Sequence, residues 1–312
     1  MIPHRPFRFG VQASTAPDAA SWVALARKVE SLGYATLTMP DHFGDQLAPV
    51  PALMAAAAAT TTLRVGALVW DNDYKHPVVL AKEMATMDVL SEGRLEIGLG
   101  AGWLATDYQQ SGITYDSNKV RVDRFEEGLA VIKAAMSGEP FSLSGQHYTI
   151  TDYTGSPAPV QGPCPPILIG GGGKRVLTIA AREADIVGIN GNLAAGMIGP
   201  EAIATMTAAA VDRKIEIVSA AAASRLGELE LNIRVFMVRV TDDRQTAVKQ
   251  IADFVQVDPS MVLESPFALI GTAAQIVEDL LRRRERWGFS YIVVGGDDVE
   301  SFAPVVAELA GN

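Results

Sequence analysis

Cysteine is almost missing from this chain: Cys164 is the only one. An intrachain disulfide, a zinc ribbon and a thiolate-held cluster each need at least two, so all three are excluded. Histidine is sparse as well. His4, His42, His76 and His147 are scattered, with no His-Glu-x-x-His or other paired spacing, so no catalytic metal is expected. Positive charge is in deficit: 26 Lys+Arg stand against 36 Asp+Glu, a net charge of −10. That balance opposes a nucleic-acid or anionic-membrane footprint. No stretch reaches the roughly 18 uncharged apolar residues that a spanning helix needs. The opening MIPHRPFRFG lacks the apolar region of a secretory signal, so a cytoplasmic location is the expectation. A Gly-x-Ser-x-Gly elbow is absent too.

What the chain does contain is a large apolar fraction, 48%, and 28 glycines in 312 residues, which describes a globular protein with a sizeable core. Short apolar runs alternate with amphipathic helical stretches from end to end, the pattern of parallel strands buried on both faces. The predicted strands are Phe7–Gln12, Tyr34–Met39, Leu63–Trp70, Arg94–Leu99, Pro166–Gly170, Asp185–Ile189, Leu231–Val240 and Tyr291–Gly295, and among the helices between them one is predicted over Pro200–Ala223. Eight strands, each followed by a helix, close a (β/α)8 barrel. The alternation breaks once, near 139–165. Phe141–Ile150 reads as a hairpin turning at Ser144-Gly145, and the proline-rich Thr151–Pro165 reads as an excursion or lid. Two doubly wound domains would need a hydrophilic linker, and Thr151–Pro165 is the sole candidate. One domain over 1–312 with an insertion near 139–165 is therefore expected.

In such a barrel, chemistry sits just after the strands. Asp41-His42 follows the second strand, and a histidine beside a carboxylate can move a proton near neutral pH. The bland reading makes Asp41 a helix cap and His42 a packing residue. Val69-Trp70-Asp71-Asn72-Asp73 follows the third strand, offering an aromatic and hydrogen-bonding groups against which a planar ring can lie. Gly100-Ala101-Gly102-Trp103 follows the fourth, with glycines that admit a ligand close to the backbone. It is not the dinucleotide fingerprint, whose spacing and acidic partner are missing. Gly170-Gly171-Gly172-Gly173-Lys174-Arg175 follows the fifth. Four glycines opening a helix that starts with two cations read as a phosphate site.

These residues resemble the luciferase-like monooxygenase superfamily, and within it the actinobacterial F420-dependent oxidoreductases. The resemblance covers nearly the whole chain. It is carried by Phe9-Gly10-Val11-Gln12, Pro40-Asp41-His42 and His76-Pro77. Most specific is Asp88-Val89-Leu90-Ser91-Glu92-Gly93-Arg94 leading to Gly100–Trp103, followed by Pro166–Gly173 with Ala180–Asp185. It implies a (β/α)8 barrel with insertions, a homodimer, and coenzyme F420 or, alternatively, FMN. The residues it points to are Asp41 and His42 for catalysis. For the cofactor they are Val69, Trp70, Asn72, Gly100, Ala101, Gly102, Trp103, Gly170, Gly171, Gly172, Gly173, Lys174, Arg175 and Asn190. It also implies a non-prolyl cis peptide near Val69-Trp70.

One departure stands out. The sugar-phosphate dehydrogenases of the superfamily carry a glutamate after the fourth-strand glycines, where this chain has Trp103, and no lysine cluster marks a substrate phosphate. The function expected is hydride exchange between F420 and a small organic substrate. FMN-dependent two-component monooxygenation is the alternative, and a catalytically silent cofactor-binding protein a third possibility. Substrate choice is assigned to the loops Trp103–Val120, His147–Pro165 and Asn190–Pro200.

Overall fold

The computed structural model describes residues 4–312, so the first three residues of the expected 1–312 unit lie outside the described residues. Eight parallel strands form the centre: β1 Arg8–Gln12, β2 Thr36–Met39, β3 Arg64–Ala67, β4 Leu95–Gly100, β5 Ile167–Gly171, β6 Ile186–Ile189, β7 Glu230–Arg234 and β8 Phe289–Gly295. Each pairs with its neighbour, β8 with β1, and β3 with β4, which closes the sheet into a (β/α)8 barrel.

Side-chain alternation sorts each strand into two faces. On β1, Phe9 and Val11 join Phe7 in the main core between barrel and helices. Arg8, Gly10 and Gln12 turn inward instead. At the strand starts Arg8 meets Glu230 through two hydrogen bonds of 2.8 and 2.6 Å and also meets Glu96, which Arg64 reaches at 2.8 Å. The Arg8 guanidinium lies 3.7 Å from the Tyr291 ring centroid, and the Tyr291 hydroxyl is 2.7 Å from Thr36 Oγ1. Above this ionic floor sit Leu168, Ile186, Tyr291 and Val293, with Leu68 and Val69 packed on top. The interior is thus filled, and only its upper mouth can take a ligand.

Four stretches differ from the sequence reading. Leu231–Val240 is not one strand: after Arg234 the chain swings away, and Met237–Val240 pairs in parallel with Ala268–Gly271 outside the barrel. The N–H groups of Phe236 and Met237 both go to the Phe267 carbonyl, which draws the chain off the β7 line. The helix expected over Pro200–Ala223 breaks at Thr205–Thr207, because Thr207 accepts the Ala210 N–H and caps a new helix, Ala208–Ala222. Trp103–Val120, read as a loop, contains the helix Ala105–Ser111.

The fourth is the excursion. Phe141–Ser144 and Thr149–Tyr153 pair antiparallel, and Glu127 holds their turn by accepting the N–H groups of Gln146, His147 and Tyr148. The chain then descends to the strand starts, where the Gln161 side chain bonds Asp88, the Leu95 carbonyl and Arg64. It therefore crosses the floor of the barrel and is no lid over the mouth.

Candidate active site

At the C-terminal ends of the strands opens a cleft of about 450 Å³, a size suited to a small ligand or part of a cofactor. Gln12, Asp41, His42, Val69, Gly100–Trp103, Gly170–Arg175, Asn190 and Arg234 all border it.

His42 Nδ1 lies 2.7 Å from Oδ2 of Asp107, a buried residue on the helix Ala105–Ser111. That carboxylate also accepts from the Tyr74 hydroxyl at 2.9 Å and from the Phe43 N–H at 3.4 Å. An ionised carboxylate only accepts, so His42 donates to Asp107 from Nδ1, and Nε2 has no hydrogen-bond partner among the described residues. The Trp103 ring meets the His42 ring edge-on, centroids 5.6 Å apart. Asp41, the partner expected from sequence, is not hydrogen-bonded to His42. It accepts the Asp71 N–H at 3.2 Å, and burial lifts its carboxyl above the usual range.

The end of the third strand separates inside from outside. The strand is interrupted at Leu68 and Val69, whose peptide bond is cis, one residue before the expected position. Trp70–Asp71 then pairs with β4 alone. Val69 faces the cleft and leans over three glycines: a Cβ on Gly100, Gly170 or Gly98 would lie 2.6, 3.1 or 3.4 Å from its methyl groups. Gly100 thus makes room for Val69, whereas Gly98 lets the Ala67 carbonyl approach. Trp70 is buried in the main core, away from the cleft. Asn72 is buried under the hairpin, its amide 3.4 Å from the Tyr148 hydroxyl. Neither expected cofactor contact, Trp70 or Asn72, borders the cleft. Asp71 does, and burial, reinforced by Asp73 and Asp41, pushes its carboxyl up to about 7. Tyr108 donates to both Asp71 and Asp73, and Arg124 neutralises Asp73 with bonds of 2.7 and 2.8 Å.

The glycine turn after β5 runs into the helix Lys174–Glu183, whose N-cap Gly173 supplies no side-chain cap. Its first-turn N–H groups are left for an anion at the positive end of the helix. Gly172 is forced: a Cβ there would lie 2.1 Å from the Gly191 carbonyl oxygen. The two expected cations differ. Arg175 turns outward to Asp123 and, at 2.8 Å, to Glu126. Lys174 has no side-chain partner among the described residues. Asn190 closes the loop opposite, bonding the Gly191 N–H through its side chain, while the buried Lys214 donates to its carbonyl. The uncapped helix start and the Gly172 cradle fit a phosphate-bearing cofactor.

Sequence reasoning missed Asp107, Gln12 and Arg234. Arg234 ends β7 and lines the cleft. Its Nε donates to Gln12 Oε1 at 2.9 Å, and Gln12 Nε2 donates to the Leu68 carbonyl at 2.9 Å. Burial pulls the Arg234 guanidinium down to about 10, with Asp298 opposing. The rule that polar residues follow strands would have found Arg234 had β7 been ended there.

The model of the luciferase-like monooxygenase family matches residues 4–291. The chain belongs to that family. Among its luciferase-like relatives is an FMNH2-dependent dimethylsulfone monooxygenase of Pseudomonas putida, 27% identical over 210 residues, 67% of this chain and 53% of the relative. Another is an F420-dependent glucose-6-phosphate dehydrogenase of Beutenbergia cavernae, 30% identical over 193 residues, 57% of this chain and 55% of the relative. The chain thus spans about half the length of these curated relatives. The solved coenzyme F420 dependent tetrahydromethanopterin reductase from Methanopyrus kandleri superposes with a TM-score of 0.78 at 17% identity, over 98% of this chain and 99% of that one. At that identity it supports the fold alone. Luciferase-like relatives therefore include both F420 and FMN users, oxidoreductases and monooxygenases. Among the described residues no helix is long and apolar enough to cross a membrane.

Proposed function

We propose that this luciferase-like protein is an F420-dependent oxidoreductase acting on a small organic substrate. The observation that carries the reading is His42: an imidazole at the cleft, oriented by buried Asp107, with Nε2 free for a substrate proton. When bound, coenzyme F420 supplies a two-electron hydride donor or acceptor. Gly170–Gly173 and the first-turn N–H groups of the Lys174–Glu183 helix would hold its phosphate, with Lys174 adding charge. Val69 forms the floor beside that turn. His42 takes the proton from a substrate hydroxyl at Nε2 or returns it to the oxygen, and Asp107 stabilises the imidazolium that forms in the first case. Asp41 has no such role in this account. We further propose that the working unit is a cytoplasmic homodimer, which light scattering of the purified protein checks for assembly.

FMN-dependent two-component monooxygenation is the second reading, supported by the likeness to the dimethylsulfone enzyme. Fluorescence titration with F420 and with FMN separates the two. Micromolar binding of F420 and none of FMN supports hydride transfer. Preference for FMN overturns the F420 assignment and makes a reductase-fed monooxygenase the working reading.

A further inference from the structure

The proton transfer assigned to His42 makes no use of Arg234, the cation that ends β7 on the wall of the cleft. The strand order places β8 between β7 and β1, yet Arg234 Nε reaches Gln12 Oε1, at the end of β1, across 2.9 Å. Gly295, the last residue of β8, leaves room for that crossing: a Cβ there would lie 3.3 Å from Arg234 Nη2 and 3.0 Å from Asp298 Oδ2. Gln12 donates in turn to the carbonyl of Leu68, just beyond β3. Between β1 and β3 lies β2, which runs into Asp41-His42. The guanidinium is therefore strung across the mouth towards the side that carries His42.

Its charge is unanswered. No carboxylate bonds Arg234 among the described residues, and Asp298 acts on it only through space. Burial is deep enough to pull the guanidinium down to about 10. A cation withdrawn from water without an ion pair costs stability unless a ligand supplies the anion. At the other end of the barrel Arg8 and Arg64 are both bonded to Glu96.

The donors left over define that anion. Nε is spent on Gln12 and Nη1 on the Val235 carbonyl, so Nη2 keeps both its hydrogens. Two hydrogens on a planar group suit one planar, singly charged carboxylate. A phosphate, with two charges and three outer oxygens, needs more donors than that, and Lys174 stands at the glycine turn instead. The Phe236 ring, its centroid 5.4 Å from the guanidinium carbon, backs the group with an apolar surface.

We infer that Arg234, held in place by Gln12, seats a carboxylate of the substrate, which is an organic acid bearing its reacting hydroxyl or carbonyl a few bonds away. The carboxylate takes no part in the two-electron exchange and fixes which end of the molecule meets His42. The reacting end rests on the function proposed above. The carboxylate seat does not, because it is read from binding alone.

The test compares benzoate with its neutral counterpart benzamide, which has the same shape, by saturation-transfer NMR on the purified protein without cofactor and after loading with F420. Benzoate should bind about tenfold tighter in both states, the worth of one charge-assisted pair. Arg234→Gln should bring the two ligands within about twofold of each other while leaving F420 affinity unaltered. Gln12→Leu keeps the cation but unties its Nε, should cut the preference to about threefold, and reads the same site should Arg234→Gln fail to fold. Lys174→Ala should leave the preference as it is. Equal affinities in the natural protein overturn the inference, as does a preference that survives Arg234→Gln or is unaltered in Gln12→Leu. A preference lost in Lys174→Ala overturns it by placing the carboxylate at the glycine turn, and loss of F420 affinity in Arg234→Gln overturns it by assigning the arginine to the cofactor. Tighter binding of benzenesulfonate than of benzoate overturns the carboxylate class. Failure of F420 to bind sinks the proposed function and leaves the comparison on the cofactor-free protein standing.

Discussion

The two ends of the barrel are both lined with charge, yet they use it in opposite ways. At the floor every ion is answered: Arg8 by Glu230 and Glu96, Arg64 by Glu96 and by Gln161. At the mouth the groups are oriented and then left open: His42 Nε2, the first-turn N–H groups after Gly173, and Lys174. Buried charge that is fully paired specifies and supports a fold, whereas polar groups held in place without a partner are held for a ligand. The contrast therefore predicts that floor substitutions change stability and spare chemistry, and that mouth substitutions do the reverse.

The largest effect is expected at the mouth. His42→Ala should lower turnover by about 10²–10⁴-fold with little change in cofactor affinity or melting temperature. Turnover that survives the change would remove His42 from the chemistry. At the floor, Glu96→Gln strips Arg64 of its carboxylate and Arg8 of one of two, and should cost about 3 kcal/mol in denaturant unfolding. Activity per folded molecule should be unaltered. If that variant instead loses activity at full stability, the division between the ends fails. Asp107→Asn sits between these cases. It leaves His42 in place but removes the anion that orients it, and should cost about 10–100-fold in turnover, with the pH–rate profile displaced.

Much of this contrast was legible in the sequence, and the residues that were not share a cause. The barrel strands announce themselves as short, mostly apolar runs set between helices, and the glycine turn because four glycines before a helix have few other uses. His42 was found for the right place but with the wrong partner. Asp41 is its neighbour in sequence, yet consecutive side chains at a strand end point apart, and the orienting carboxylate arrives from Asp107 on a seven-residue helix too short to show periodicity. Trp70 was misassigned because the strand is interrupted at Leu68-Val69, after which the pattern that sends alternate residues inward no longer applies. The small sheet beyond β7 was invisible because its partner strand, Ala268–Gly271, lies about thirty residues on and offers only a short apolar run.

The glycine turn sharpens the comparison on a finer scale. It carries two adjacent cations, of which Arg175 behaves like the floor and Lys174 like the mouth. Lys174→Ala should weaken F420 binding about tenfold and flatten its salt dependence, since a free ammonium near an anion is worth roughly one charge-assisted bond. Arg175→Ala should do much less, because the guanidinium is already spent on Asp123 and Glu126. Equal losses in both variants would mean that Arg175 swings inward on binding.

The smallest effect concerns Asp71, a mouth carboxyl that resembles the floor in being buried but has no cation bonded to it. Burial raises its folded value from 3.8 to about 7, with repulsion from Asp73 and Asp41 adding to it. For an acid whose folded value is raised, the native state binds the proton more tightly than the unfolded chain. The stability this confers is complete below the unfolded value and is lost as pH rises through the folded one. Asp71 should therefore destabilise the protein progressively from about pH 4 to about pH 7. Asp71→Asn copies the neutral acid: its carbonyl can still accept the Asp73 N–H, which now lies 2.8 Å from Asp71 Oδ1. Tyr108 keeps its bond to Asp73 at 3.0 Å. The variant should melt ~2–4 °C higher than the natural protein at pH 8, with the gain vanishing towards pH 4. A gain of the same size at every pH would show that packing, not the carboxyl's charge, sets the stability of this corner of the mouth.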